Sequence, residues 1–183
     1  MAPKEEYAII LDFLQHGYPF DDRPAHKKNS IAQAIGINFL GLLELVPKKD
    51  IFLQPNEKVY IGEGKREKIH HISGRLKLSE LTETAKTEVE IIIKELIEEN
   101  EIKFIEFFNK AGPINMRRHQ IELLPGFGNK HMLQILEERE NKIFEKFDEM
   151  KERIKLLPDP KQAIIKRILI EMEGEEKYYL FVK

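Results

Sequence analysis

The sequence predicts an α+β protein in which a small β-barrel precedes a helical connector and a helical bundle. Three observations carry this reading. Short apolar runs separated by Gly, Pro and Asn turns fill residues 1–78. From Ser79 onward the apolar residues recur at helical spacing. Beyond the break at Ala111-Gly112-Pro113, short amphipathic pieces joined by tight turns predict a compact bundle over 113–175. With 183 residues and 42% hydrophobic content, the chain has enough apolar material for a core rather than a disordered state.

In the barrel region, Tyr7 to Leu14 reads as a largely buried strand, stopped by His16-Gly17-Tyr18-Pro19. A polar loop occupies 19–30. Ile31 to Ile35 is a short strand ended by Gly36. Asn38 to Val46 is a second long strand candidate, with Gly41 inside it as a bulge or bend. Lys58 to Ile61 and Ile69 to Leu76 complete four or five strands, the number a small barrel needs.

Residues 79–112 read as an amphipathic helical connector. Ser79, with Thr82 or Thr84, offers N-cap oxygens, and Ala85, Val89, Ile92, Ile93, Leu96 and Ile97 keep 3.6-residue spacing. Glu101 to Lys110 forms a second helix with Phe104, Ile105 and Phe108 on one side. The bundle divides into helices at Asn115 to Leu123, Asn129 to Glu140, Phe147 to Lys155 and Lys161 to Glu173, with Gly174 as the stop. Residues 176–183 hold a strand-like tail, Tyr178 to Val182. A lone strand needs a partner, so this one is expected to return to the barrel.

One motif carries chemistry. Leu124-Pro125-Gly126-Phe127-Gly128-Asn129-Lys130 leads from one predicted helix into the next. Its glycines allow close approach of backbone to a ligand, and the free N–H groups of a helix start attract anions. Lys130 adds a full charge there, as do Arg117 and Arg118 on the preceding predicted helix. A weak repeat offset by 33 residues matches Leu123–Leu136 with Leu156–Leu169, both beginning Leu-Leu-Pro.

The motif resembles the helix-hairpin-helix family, whose core reads Leu-Pro-Gly-Ile-Gly-x-Lys. That resemblance implies that the turn from Gly126 through Phe127 and Gly128 to Lys130 is the binding element, the amides of Gly126, Gly128, Asn129 and Lys130 holding a nucleic-acid phosphate without reading bases. In the second copy, Asp159-Pro160-Lys161 replaces the Gly-x-Gly, which predicts a structural turn, since Pro160 has no N–H and Asp159 repels phosphate. The plainer reading of the first turn is a helix ending and then a new helix.

Beyond the hairpin, Asp21-Asp22-Arg23-Pro24, Gln33-Ala34-Ile35-Gly36, Leu43 to Lys48, Glu57 to Gly62 and Tyr178 to Val182 together resemble a family of uncharacterised archaeal proteins described as nucleotide- or RNA-binding. The resemblance spans nearly the whole chain. It implies an OB-like barrel and, after it, a tandem helix-hairpin-helix domain with a degenerate second hairpin. It also implies a ribosomal neighbourhood, which favours RNA over DNA as partner and leaves ribosomal or other translation proteins as further ones. It implies no reaction.

Weaker signals lie elsewhere in the chain. Lys65, Arg66, Lys68, Arg75 and Lys77 come after the Gly62-Glu63-Gly64 turn and can line a backbone-tracking groove. The plainer reading is a solvated loop that balances the acidic helix after it. Arg23, His26, Lys27 and Lys28 form a second basic loop, and Tyr18 and Phe20 are the best placed aromatics to stack bases. His70 and His71 on a strand would point to opposite faces and share no ion. No phosphate-binding P-loop, nucleophile elbow or His-Glu-x-x-His occurs, and there is no cysteine. The expectation is therefore a non-enzymatic nucleic-acid-binding protein of the cytoplasm with no metal, cofactor or membrane segment. Two alternatives stay open: a protein-interaction adaptor and a structure-specific DNA-binding protein.

Overall fold

The structure, a computed structural model, describes residues 3–183. The chain divides into two compact units, residues up to 92 with 171–183, and residues 93–170. Both divisions fall inside helices.

In the first unit, β1 (Tyr7–Leu14), β2 (Ile31–Gly36), β3 (Leu42–Pro47), β4 (Lys58–Tyr60) and β5 (Ile69–Leu76) form one sheet in the order β4-β1-β2-β3-β5. Every pairing is antiparallel. Among the described residues no ladder joins the edge strands β4 and β5, so the curled sheet is a half-barrel. Bulges promote that curl by adding local twist. Leu11 is the extra residue of β1 against β2, and His70 and Ser73 are the extra residues of β5 against β3.

The bulge at Leu11 changes which face each side chain meets. Ala8 and Ile10 lie in a core with Ala32, Ala34, Leu45, Val59 and Ile69, and after the bulge it is Phe13 that packs there. Asp12 pairs with Gln33, Gln33 with Glu44, and Glu44 with Gly74, which sets a polar row across four strands. Gln33 is wholly buried, yet both ends of its amide are used. Its Nε2 donates to Tyr18 Oη and Glu80 O at 3.2 Å each, and its Oε1 accepts the Thr82 N–H at 2.9 Å.

The long strand expected over Asn38 to Val46 is shorter. Residues 37–41 form the β2–β3 turn, with Leu40 at φ 59° and 2% exposed. Burial of the Leu40 side chain offsets a backbone conformation that leucine disfavours. The Glu5 carboxylate braces this turn by accepting the N–H of Asn38 at 2.9 Å and that of Phe39. A Cβ on Gly36 would collide with that carboxylate, so the glycine is what keeps the brace in place.

The tail expected as a strand over 178–182 does return to this unit, but not as a strand. The amides of Leu180, Phe181 and Val182 donate to the Glu171 carboxylate at 2.6, 3.0 and 2.9 Å. Lys183 N–H reaches Phe39 O at 3.0 Å. One buried carboxylate thus takes the donors a sheet ladder would have used.

The helix α1 (Glu83–Glu99) starts at Thr82, whose Oγ1 accepts the Ala85 N–H at 3.1 Å. Ser79 lies instead in a short 3₁₀ helix over Leu78–Glu80. In the second unit, α2 (Glu101–Lys110) begins at once and ends where Arg139 donates to Phe108 O and Ala111 O at 3.2 and 2.7 Å. Phe108 is fully buried, with Phe127 at 6.1 Å and Phe147 at 6.5 Å between ring centres.

Over Asn115 to Leu123 the structure departs from the helix that the apolar spacing predicts. It has a small hairpin, β6 (Pro113–Asn115) with β7 (Arg118–His119), and then a 3₁₀ helix over Gln120–Leu123. Local side-chain bonds account for this. Asn115 Oδ1 accepts the Arg117 N–H at 2.8 Å and turns the chain, and His119 Nδ1 accepts the Ile121 N–H at 3.1 Å. Arg117 and Arg118 therefore sit on a β-hairpin, not on a helix. The remaining helices are α3 (Asn129–Asn141), α4 (Phe147–Arg153) and α5 (Pro160–Met172). No helix among the described residues is long and apolar enough to cross a membrane.

Candidate functional site

The Leu124–Lys130 turn is built as a sharp reversal. Gly126 takes φ +85°, where side chains are strained, and Phe127 N–H donates back to Leu124 O at 3.0 Å. Leu124 and Phe127 are buried and anchor the turn, whereas Gly126, Gly128, Asn129 and Lys130 are exposed. Phe127 does not take the place expected for it among the binding residues. Its ring is 5% exposed against Phe108, so it supports the turn from beneath.

Gly128 precedes α3 as its N-cap at φ −107° and ψ −172°, ordinary extended backbone. Nothing lies within 4 Å of where its Cβ would be. Neither conformation nor packing requires glycine here, and a capping side chain would favour the helix. What the glycine does leave is an open approach to the first turn of α3. The Asn129 and Lys130 N–H groups there have no intrahelical acceptor. The Gly128 N–H is already used, donating to His131 Nδ1 at 3.1 Å.

The second turn of the repeat is closed. Asp159 Oδ1 accepts the N–H groups of Lys161 and Gln162 at 3.0 and 3.2 Å. A carboxylate of the chain itself fills the place an anion would take.

The basic stretch of the sheet unit is not one surface. Arg66 Nε donates to Gly62 O at 2.8 Å, Lys68 pairs with Glu57, and Arg75 donates to Lys183 O. Its pairing with Lys68 holds the Glu57 carboxyl below its ordinary range. Of the five, Lys65 and Lys77 are exposed with no such side-chain tie among the described residues. Tyr18 is half-buried and donates to Glu44 Oε2 at 2.6 Å. Phe20 lies parallel to it at 4.9 Å and is 79% exposed.

A family model described as a protein of unknown function, DUF655, matches residues 4–183. The chain belongs to the DUF655 family. It is 42% identical over 181 residues to the uncharacterised protein MJ0038 of Methanocaldococcus jannaschii, covering 98% of this chain and 80% of that one. It is similar in structure to Af1531 of Archaeoglobus fulgidus, with TM-score 0.87, 39% identity, and 98% of this chain and 100% of that chain covered. Neither relative carries an assigned activity in its description.

Two features of this DUF655 chain have no signal in the sequence. A cavity of about 850 Å³ opens where the half-barrel stays unclosed, between Tyr60 at the end of β4 and Ile72 and Arg75 on β5. Only the pairing of the strands reveals it. The second feature is the pair His70 and His71, whose Nδ1 atoms approach to 2.7 Å. The expectation of opposite faces fails because His70 is a bulged residue, and bulges re-aim side chains. Among the described residues no three His, Cys, Asp or Glu side chains converge as a metal site would require.

Proposed function

We propose that this protein is a non-enzymatic nucleic-acid-binding protein that grips backbone phosphates through the turn before α3, with RNA as the favoured ligand. The observation that carries the reading is Gly128. It is a glycine that the fold does not need, placed where its missing side chain leaves exposed helix-start amides open beside Lys130. The contrast with the second turn supports it, because Asp159 closes the same feature from within. Arg117 and Arg118, exposed on the β6–β7 hairpin, add charge in the same unit. In this reading the curled sheet is an OB-like second surface. Its five strands and open edges support that assignment, and Lys65 and the exposed face of Phe20 are its best placed contacts.

The test is Gly128→Asp. The backbone torsions suit aspartate, and a Cβ meets nothing, so the variant folds at least as well as the parent. Its carboxylate would occupy the amides as Asp159 does in the second turn. Binding of a labelled structured RNA, a single-stranded RNA and a duplex DNA is measured at two salt concentrations. Salt-dependent binding that Gly128→Asp weakens strongly, with circular dichroism unchanged, supports the reading. Binding indifferent to the substitution would defeat it.

A second reading, a protein-interaction adaptor, draws on Met116 and Leu156. These are wholly and almost wholly exposed at 104% and 96%, each at a turn of the second unit. It predicts no salt-dependent affinity for nucleic acid.

A further inference from the structure

Four of the chain's six histidines meet in one cleft of the sheet unit. The cleft has a volume of about 650 Å³ and lies at the end of the sheet where β1 and β3 finish and β5 begins. Besides the histidines it holds two lysines, Lys28 and Lys49, and the single carboxylate of Asp50. The larger cavity between the sheet edges differs in kind, since Glu5, Glu6 and Glu63 line it beside Lys4, Arg75 and Lys183 and Lys4 is paired with Glu63. Two lysines against one carboxylate give the histidine cleft the balance that favours a phosphate.

The cleft also holds a fixed aromatic ring. Phe52 is 66% exposed, and Phe13 holds it edge-on at 6.0 Å and 69° between ring planes. Phe13 packs in turn on the sheet core. The Phe52 ring is thus held from one side and open to solvent on the other, as a stacking platform is. Beside it, the bulged pair His70 and His71 shares one hydrogen between two Nδ1 atoms. In a neutral pair of this geometry one ring donates through Nδ1 and the other accepts. One Nε2 is then left as an acceptor and the other as a donor. The rings stand nearly perpendicular with their Nδ1 atoms face to face, so the two Nε2 atoms point away from each other and each can meet a separate polar atom of a nucleic-acid ligand.

We propose that this cleft binds a single-stranded segment of nucleic acid, with Phe52 stacking on a base, an outward Nε2 of the His70–His71 pair meeting a polar atom of the strand, and Lys28 and Lys49 taking adjacent phosphates. The inference rests on the nucleic-acid reading above and adds to it a site for unpaired bases. The α3 turn reads only backbone. The cleft supplies what that turn lacks, a preference for strand state.

The chain has no tryptophan, so Phe52→Trp installs a single indole reporter while keeping a stacking ring. Single-stranded oligonucleotides of about twelve nucleotides, RNA and DNA of one sequence, are titrated against this variant. Indole emission and the anisotropy of an end-labelled strand are recorded together. The expected result is saturable quenching at the same midpoint as the anisotropy rise. Phe52→Ala, and Lys28→Glu with Lys49→Glu, are each expected to raise the midpoint roughly tenfold, with circular dichroism unchanged. If the strand binds, loses affinity in Gly128→Asp, and yet neither quenches the indole nor responds to the Phe52 and lysine changes, the cleft is not a site and the proposed function stands. If no single strand binds the parent protein while a structured RNA or duplex DNA does, the cleft is not a site and the proposed function stands, and if none of them binds at any salt concentration, both fall.

Discussion

The carboxylate of Asp159 accepts the backbone N–H of Lys161 at 3.0 Å, in the turn that the internal repeat pairs with Gly126 to Gly128. The two turns share the Leu-Leu-Pro lead-in and diverge at the next residue, Asp159 in one and Gly126 in the other. Asp159 caps α5 itself, and α5 starts one residue later at Pro160, where a missing N–H costs nothing. Asp159→Ala is expected to lower stability by about 1 kcal/mol through loss of the cap. Asp159→Asn keeps an acceptor oxygen and should lie within a few tenths of the parent. Urea unfolding of the three proteins checks both. Neither change should alter nucleic-acid affinity at the α3 turn.

Lys130 and Arg75 separate charge that is available from charge that is used. Lys130 is exposed in the first turn of α3, whereas Arg75 is tied to the terminal carbonyl of Lys183. Lys130→Ala is expected to weaken binding equally on all sequences and to reduce the salt slope by about one ion. Arg75→Ala should leave that slope unchanged. A plot of log affinity against log salt for both variants decides it, and an unchanged slope for Lys130→Ala would remove that residue from the site.

The legible part of the fold is the part governed by local pattern. β1 and β5, α2, and the start of α3 fall where apolar spacing and turn residues place them. The hairpin at 113–119 is hidden from the sequence because its cause is a handful of side-chain bonds from Asn115 and His119 that compete with an adequate helical pattern. The tail resembles a strand because its apolar residues suit one, while its donors are taken by Glu171 from a distant helix. Of the candidate site, the exposed glycine turn is legible. The pairing of Lys68, Arg66 and Arg75 is not, because their partners are remote in sequence or are backbone carbonyls.

Gln33 ties β2 to the entry of α1. Removing its amide by Gln33→Ala leaves the Thr82 N–H and Glu80 O without these partners and opens a small void. The expected loss is about 2–4 kcal/mol, large for one polar residue because unsatisfied buried groups bear a full desolvation penalty. Chemical denaturation measures the loss. Hydrogen exchange at Thr82 should accelerate with it.

His119 sets an acid limit. Burial, and then the nearby Arg139 charge, hold its imidazole below the ordinary 6.5 despite the opposing pull of Glu122. The native state disfavours the charged ring, whose Nδ1 must stay an acceptor for the Ile121 N–H. The unfolded chain therefore takes up the proton first as pH falls. The His119 contribution is complete above about 6.5 and is lost as pH drops from there towards the lower folded value. His119→Asn, which keeps a capping acceptor without a titrating ring, should flatten that acid slope in stability measured between neutral and mildly acidic pH.

Tyr18 sets the opposite limit. Burial first, and then its hydrogen bond to Glu44, push its hydroxyl up to about 12 from 10.0. Ionisation would place a phenolate against the Glu44 carboxylate at 2.6 Å and remove the donor that joins them. The native state thus holds its proton while the unfolded chain releases it. The Tyr18 contribution is present below pH 10 and disappears as pH rises through about 12. Tyr18→Phe should cost about 1 kcal/mol at neutral pH, the worth of a typical hydrogen bond. Its denaturation midpoint should then approach that of the parent as pH is raised through this window. A gap between the two proteins that stays constant up to pH 12 would show that the hydroxyl is not held in this way. Because Phe20 stacks on the same ring, the variant also tests whether the exposed aromatic pair keeps its geometry without the anchor.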